Sequence, residues 1–272
     1  MPVGAASRVG DGGRMGNVIA FVPASGGVGS STLAAAVAVR ACAAGRSVVA
    51  VDLDPLAGCL DVVFGLEQEP GWRWPELSDV SGVVHGLGLA DELPVSCGVP
   101  VLSGGRGGGW GDGVDGWLET LPDVVAGLAD AHALTVLDLP RDPAVLEAVA
   151  LLVDAVVVVV GTQVPQLAAA SAVVSGVRGL LHRLRDAGRP WAAEPLLPIE
   201  PWVVLRGRRI EADLEDLVMD ELDVPLVATV GDDRRVVADV AEGLPPGVHG
   251  RGDVVRAADE LLLRLTDQAV AA

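Results

Sequence analysis

Val18-Ile19-Ala20-Phe21-Val22-Pro23-Ala24-Ser25-Gly26-Gly27-Val28-Gly29-Ser30-Ser31-Thr32 is the stretch that decides the fold. The apolar run Val18–Val22, closed by Pro23, reads as a buried strand. Thr32–Ala44 is Ala-rich and unbroken up to Gly45, so it reads as a helix. Ser47–Leu53 is a second apolar run with Asp52 and Asp54 at its end. Strand, glycine turn, helix and strand together make a βαβ unit. The turn Ser25–Gly29 sits where a phosphate-binding loop must sit, after a strand and before a helix. Glycines let backbone N–H groups turn inward as an anion nest, and the helix N-terminus adds partial positive charge. Ser31 stands where the hydroxyl of such a loop meets Mg2+. An ordinary glycine-rich βα turn looks the same, and the loop alone does not separate the two.

The pattern continues outward. Residues 66–98 read as irregular, with Trp72, Trp74, Pro70 and Pro75. Val99–Leu102 reads as a strand, Ser103–Gly116 as a glycine-dense loop holding Trp110, and Trp117–Ala131 as a helix. Leu134–Leu137 is a strand ending at Asp138, and Ala144–Leu152 is a helix. Ala155–Val160 is an alanine followed by five valines, the signature of a strand buried on both faces of a parallel sheet. A long helix over Val164–Ala187 follows, then a strand Trp202–Leu205, a helix Ile210–Leu222 and a strand Pro225–Val230. Helices at Asp232–Glu242 and Asp253–Thr266 finish the chain. This alternation predicts an α/β fold: a doubly wound, mostly parallel sheet with helices on both faces. Residues 1–16 are expected to form a flexible leader, and 17–270 a single domain.

Composition narrows the function. Half of the 272 residues are hydrophobic and the mean hydropathy is +0.46, so a large core is within reach. Tyr is absent and Phe occurs twice, which leaves Val, Leu and Ala to build that core. The net charge is −18 and all 19 basic residues are Arg. Such a chain repels DNA phosphates and anionic lipid heads, so direct nucleic-acid and membrane binding are not expected. Cys42, Cys59 and Cys97 form neither a disulfide framework nor a zinc pattern. The four histidines lack ligand spacing. The most apolar stretch, Leu151–Val160, is interrupted by Asp154 and too short for a bilayer, and no signal peptide is recognised. A cytoplasmic location is expected. In the last helix Val254, Val255, Ala258, Leu261, Leu262 and Leu265 form one stripe, and the opposite face mixes acids with Arg. That suits a helix packed on the sheet better than a membrane-surface helix.

The loop is similar to the deviant Walker A motif of the ParA/MinD family, Lys-Gly-Gly-x-Gly-Lys-Thr/Ser-Thr. Gly26, Gly27, Gly29, Ser31 and Thr32 match. The two motif lysines fall on Ser25 and Ser30. Val51-Asp52-Leu53-Asp54-Pro55 resembles the family's switch I strand. Thr135-Val136-Leu137-Asp138-Leu139-Pro140-Arg141 resembles switch II, in a form typical of the CpaE-like branch, which includes septum site-determining proteins of actinobacteria. Arg206 falls where the family ends a strand with an adenine-reading Asn. Gly231-Asp232-Asp233-Arg234-Arg235 resembles the closing segment. The likeness covers about residues 17–245, and the N-terminal receiver-like domain common in CpaE proteins is not expected here.

This resemblance implies a P-loop NTPase fold and weakly bound ATP and Mg2+. It assigns Gly26, Gly27, Val28, Gly29, Ser30, Ser31, Thr32 and Arg206 to the nucleotide. Ser31, Asp54 and Asp138 would hold the metal, with Asp54 and Asp138 as impaired catalytic carboxylates. Losing two charge-assisted contacts costs roughly 3–6 kcal/mol of binding. Phosphoryl transfer suffers more, since it depends on positive charge at the moving group. Arg46, Arg141 and Arg206 are the candidate replacement cations. The resemblance implies a homodimer that positions division or pilus/secretion machinery through protein partners. The rival readings are a slow ATPase using Arg for Lys and a nucleotide-free dimerising scaffold. Trp72, Trp74 and Trp110, on loops 66–80 and 103–117, either anchor those loops or offer aromatic contacts to a partner.

Overall fold

The structure, a computed structural model, describes residues 16–56, 58–78, 80–104, 116–186 and 200–271. Among them eight strands form one sheet in the order β3-β4-β2-β5-β1-β6-β7-β8. The strands are β1 (Asn17–Pro23), β2 (Val48–Asp52), β3 (Val95–Ser96), β4 (Val99–Leu102), β5 (Leu134–Asp138), β6 (Ala155–Gly161), β7 (Trp202–Gly207) and β8 (Leu226–Gly231). Every pairing is parallel except the short hairpin of β3 with β4. The doubly wound, mostly parallel sheet expected from the sequence is therefore observed.

The helices are α1 (Ser30–Ala43), α2 (Leu60–Val63), α3 (Gly86–Glu92), α4 (Trp117–Ala131), α5 (Pro143–Val149), α6 (Val164–Asp186), α7 (Ala212–Leu222), α8 (Arg234–Ala241) and α9 (Asp253–Ala271). They cover both faces because successive side chains of a strand point to opposite sides. Val18, Ala20 and Val22 of β1 join the core under α4, α5 and α6, whereas Ile19 and Phe21 join the core under α1 and α9. The five valines of β6 divide likewise, Val156, Val158 and Val160 to one side, Val157 and Val159 to the other. With few aromatics available, α1 lies close to the sheet through Ala34, Ala35, Ala38 and Ala41, all fully buried.

Three expectations need correction. Residues 66–98 are not irregular throughout: they contain a 3-10 turn at Trp74–Leu77, helix α3 and strand β3. Gly86 and Gly88 hid α3 in the sequence, and β3 is too short to show alternation. The sequence reading found no segment long enough for a bilayer, but α6 contains one. Its part Val164–Leu184 has the length and apolarity to cross a bilayer, yet Ala170, Val174, Val177 and Leu180 are buried in the core beside the sheet. Gly16, assigned to the leader, is buried; the rest of that leader, residues 1–15, lies outside the described residues. So does most of the glycine-dense loop, 105–115, with Trp110. The apolar stripe of α9 faces inward as expected, with Val254, Val255, Ala258, Leu261 and Leu265 buried against α1 and β8.

Candidate functional site

The glycine turn leaves β1 in the middle of the sheet, between β5 and β6. Ligands of open α/β sheets bind outside the C-terminal strand ends at such a point, where the winding reverses. The Ala24 N–H donates to Val159 O at 2.9 Å, which ties the start of the turn to β6. Gly27 (φ 73°) and Gly29 (φ 84°) take left-handed backbone conformations that a side chain would strain. Gly29 then opens α1, whose first hydrogen bond runs from Leu33 N to Gly29 O. The turn thus ends on the N-terminus of a 14-residue helix. Ser30 is 5% exposed, and the hydroxyls of Ser25 and Ser30 are both buried without a hydrogen-bond partner. These are the two positions the ParA/MinD motif gives to lysine.

A wall of carboxylates faces the turn. Asp52 and Asp138 are opposite each other in the β2–β5 register. The Ser31 hydroxyl is close enough to the Asp138 carboxylate to favour its charged form, so the predicted loop hydroxyl and the predicted metal-holding aspartate are neighbours. Burial pushes the Asp138 carboxyl well above the usual range, the charge of Asp52 adds to this, and Ser31 opposes it. Asp52 is fully buried. Its Oδ1 accepts from Asp54 N at 3.0 Å, and its Oδ2 accepts from Leu60 N at 3.0 Å and Ser103 Oγ at 3.2 Å. Burial outweighs those donors and raises its carboxyl to about 6. A Cβ on Gly58 would lie 2.8 Å from Asp52 Oδ2, so the segment can close over the carboxylate only with glycine there. Asp54 is half-buried, and its Oδ1 accepts from Leu56 N at 3.0 Å. Among the described residues no arginine pairs with Asp52 or Asp138.

The other wall carries the cation. A Cβ on Gly29 would lie 3.6 Å from Arg206 Nε, and Arg206 Nη2 is 3.1 Å from Asp232 Oδ1. Beneath this pair is a cavity of about 240 Å³, bounded by Val28, Gly29 and Thr32 of the turn, by Arg206, and by valines of β6, β8 and α8. Of the three candidate arginines, only Arg206 is seen against the turn. Arg46 donates to Ala133 O at 3.0 Å, at the opposite end of the sheet, and Arg141 is exposed on the segment after β5.

Sequence reasoning left Ser103 and Cys59 unassigned, and left Trp74 open between a loop anchor and a partner contact. Ser103 follows the end of β4, and its hydroxyl donates to Asp52 at the end of the neighbouring strand β2. Trp74 is 4% exposed, stacks edge-on with Trp117 at 6.2 Å, and donates from Nε1 to Asp52 O at 2.6 Å. It is an anchor, whereas Trp72 on the same loop is 41% exposed. Cys59 caps α2 beside the carboxylates; burial and then the charges of Asp52 and Asp138 push its thiol up to about 11. It stays protonated and is a poor nucleophile. For Ser103 the available signal was a hydroxyl just past a strand end, which is too common to single out, and Trp74 lies too far along the chain from Asp52 for a local pattern to link them.

No protein-family model matches the chain. It is 40% identical over 104 residues to the uncharacterized protein Rv3660c of Mycobacterium tuberculosis, a match covering 38% of this chain and 29% of that protein. The chain thus spans under a third of the length of the curated relatives it matches. Solved structures align over nearly all of it. A ParA-family ATPase from Chlorobium tepidum has a TM-score of 0.69 and 17% identity, covering 91% of this chain and 98% of that one. The MinC:MinD cell division complex of Aquifex aeolicus gives 0.65 and 18%, covering 92% and 96%. The septum site-determining protein MinD of Pyrococcus horikoshii, complexed with Mg-ADP, gives 0.60 and 20%, covering 91% and 96%. The chain has the α/β fold shared by the MinD and ParA-family ATPases.

Proposed function

We propose that this chain binds ADP or ATP with Mg2+ at Gly26–Thr32 and hydrolyses ATP slowly or not at all. It acts as a homodimeric, CpaE-like positioning protein in the cytoplasm, placing division or pilus/secretion machinery through protein partners. The observation that carries the reading is the backbone of the turn: Gly27 and Gly29 take left-handed conformations and lead onto the N-terminus of a 14-residue helix. That is a glycine nest on a helix N-terminus, with Ser31 close enough to Asp138 to favour its charged form, and such an arrangement suits phosphate with a divalent cation. The same fold holds Mg-ADP in the Pyrococcus horikoshii MinD and a protein partner in the Aquifex aeolicus MinC:MinD complex.

The donor set fits Mg2+ as a co-ligand. Among the described residues no cluster of three His, Cys, Asp or Glu holds a metal by itself. Mg2+ is commonly bound by one or two protein oxygens plus substrate phosphates and water, and Ser31, Asp54 and Asp138 would supply the protein oxygens. Bound there, the cation would neutralise phosphate oxygens and relieve the crowding of Asp52 against Asp138. The chain's own part is to hold the phosphate on the Gly26–Gly29 N–H groups and to keep Ser31 beside Asp138. With Ser at positions 25 and 30, no lysine steadies the charge of a transferring phosphoryl, so turnover is weak. The position of Arg206 beside Gly29 favours the slow ATPase as second reading.

Titration calorimetry with Mg-ADP and the non-hydrolysable Mg-ATP analogue, with steady-state phosphate release, tests this. The reading expects saturable binding and turnover far below an ordinary ATPase. Absence of binding leaves the nucleotide-free scaffold. Turnover at about 1 per second or faster, within the common enzyme range, rejects the impaired site.

A further inference from the structure

The loop lacks its lysines, yet one cation is built against it from the other side. Arg206 is the penultimate residue of β7 and pairs with Gly161 of β6 and Val230 of β8. Its side chain runs back over the glycine turn: a Cβ on Gly29 would meet Arg206 Nε at 3.6 Å and Cδ at 3.7 Å. The side chain is about one-third exposed and its Nη2 rests on Asp232, which is half exposed. In the cavity below, the other charged residue is Asp233. Its carboxylate already accepts from Arg235 N at 2.8 Å as the cap of α8. Among the described residues Arg206 is therefore the one cation lining the cavity. On the turn itself Ser30 Oγ is buried and unpartnered, a polar atom that the folded chain leaves unsatisfied at the foot of the nest.

We propose that Arg206 is the phosphate-binding cation of this site and that Asp232 holds it in waiting. The proposal rests on the nucleotide reading above and names the residue that makes it work without lysine. A guanidinium offers five N–H donors in a fixed fork and takes a phosphate through two parallel hydrogen bonds. Its alignment along Gly29 places it beside the N–H groups that would cradle that phosphate. The Asp232 contact is a partly exposed ion pair, a class that contributes little to stability. Exchanging that carboxylate for a dianionic phosphate therefore meets little resistance. Asp232 in turn keeps the long side chain over the turn in the absence of ligand, which lowers the ordering cost of binding. The cation has moved from the first turn of α1 to the end of β7, and the sign of the site is restored from the opposite wall.

A rival role for Arg206 is contact with the base, and a third is a purely structural ion pair. Pyrophosphate separates the first two, since it carries the anion without the base. The test uses the full chain, wild type against R206Q, R206K and D232N, with Mg-ADP and Mg-pyrophosphate as probes and the melting temperature as folding control. The proposal expects R206Q to weaken both probes at least about tenfold, the loss of one charge-assisted contact. R206K should retain part of the affinity, and D232N should bind as tightly as wild type or tighter. S30K added to R206Q should restore binding. Equal affinities of R206Q and wild type, or D232N as weak as R206Q, would overturn it. So would loss confined to Mg-ADP with pyrophosphate unchanged or unbound, which assigns Arg206 to the base. A wild type that binds neither probe sinks the nucleotide reading and this inference with it. A wild type that binds Mg-ADP while R206Q binds equally sinks the inference alone.

Discussion

Ser30→Lys returns one lysine to the phosphate loop, and the structure sizes the effect. The Ser30 hydroxyl has no hydrogen-bond partner, so the substitution removes no existing bond. The residue is 5% exposed at the first position of α1, so the longer side chain must leave along the nest. The same site holds Asp138 and Asp52, which no arginine among the described residues neutralises. That environment keeps an ammonium charged. On ligand binding it gains a charge-assisted bond to phosphate of about 1.5–3 kcal/mol, or roughly 10- to 150-fold in affinity. Calorimetry with Mg-ADP on wild type and S30K reads this directly, with thermal melting to confirm that the variant folds. A folded S30K that binds no more tightly than wild type would show that the loop does not present its first helical residue to a phosphate, and the site argument would fail.

Three other outcomes follow from the same geometry. Asp52 has its carboxyl raised from 3.8 to about 6 by burial, so the folded state holds that proton more tightly than the unfolded chain. Its contribution favours folding at low pH and is lost as pH rises from about 4 through about 6, up to roughly 3 kcal/mol; Asp138 shifts in the same direction. The melting temperature in metal-free buffer should therefore be several degrees lower at about pH 7.5 than at about pH 5, and a flat or rising profile would contradict the buried carboxylate pair. Trp74→Phe keeps an aromatic ring, though a smaller one, and deletes the N–H that meets Asp52 O at 2.6 Å; about 1–3 kcal/mol or more should be lost, read as a drop in melting temperature, and an unchanged melt would refute the anchor. With a net charge of −18 and no Lys, the chain should neither shift plasmid DNA nor co-sediment with anionic vesicles at about 0.15 M salt, where charges are screened beyond about 8 Å; saturable binding in either assay would remove the protein-partner model.

The sheet was legible because its signals are local. Val18–Val22 and the five valines of β6 are buried on both faces, and nothing but a central parallel strand suits such runs. The loop was legible because Gly27 and Gly29 need conformations that other residues resist. Asp54 and Asp138 were legible as acids at strand ends. What was not legible depends on distance in the chain. Asp52 is organised by Leu60 and Ser103, and by Trp74 through its carbonyl, and no pattern near residue 52 announces those partners. Arg206 stands on β7, and its approach to Gly29 follows from the β6–β7 register and the length of one side chain. α3 was hidden by its two glycines.

The central claim is that Gly26–Thr32 holds a nucleoside phosphate. Hydrogen–deuterium exchange on the full chain, with and without saturating Mg-ATP, tests it at the residues concerned. Peptides spanning Gly26–Thr32 and the end of β7 at Arg206 should exchange more slowly with nucleotide, because the N–H groups of the nest become donors to phosphate, while the outer faces of α6 and α7 stay unchanged. Unaltered exchange across Gly26–Thr32 at a nucleotide concentration that saturates binding, or at any concentration reached, would contradict the account.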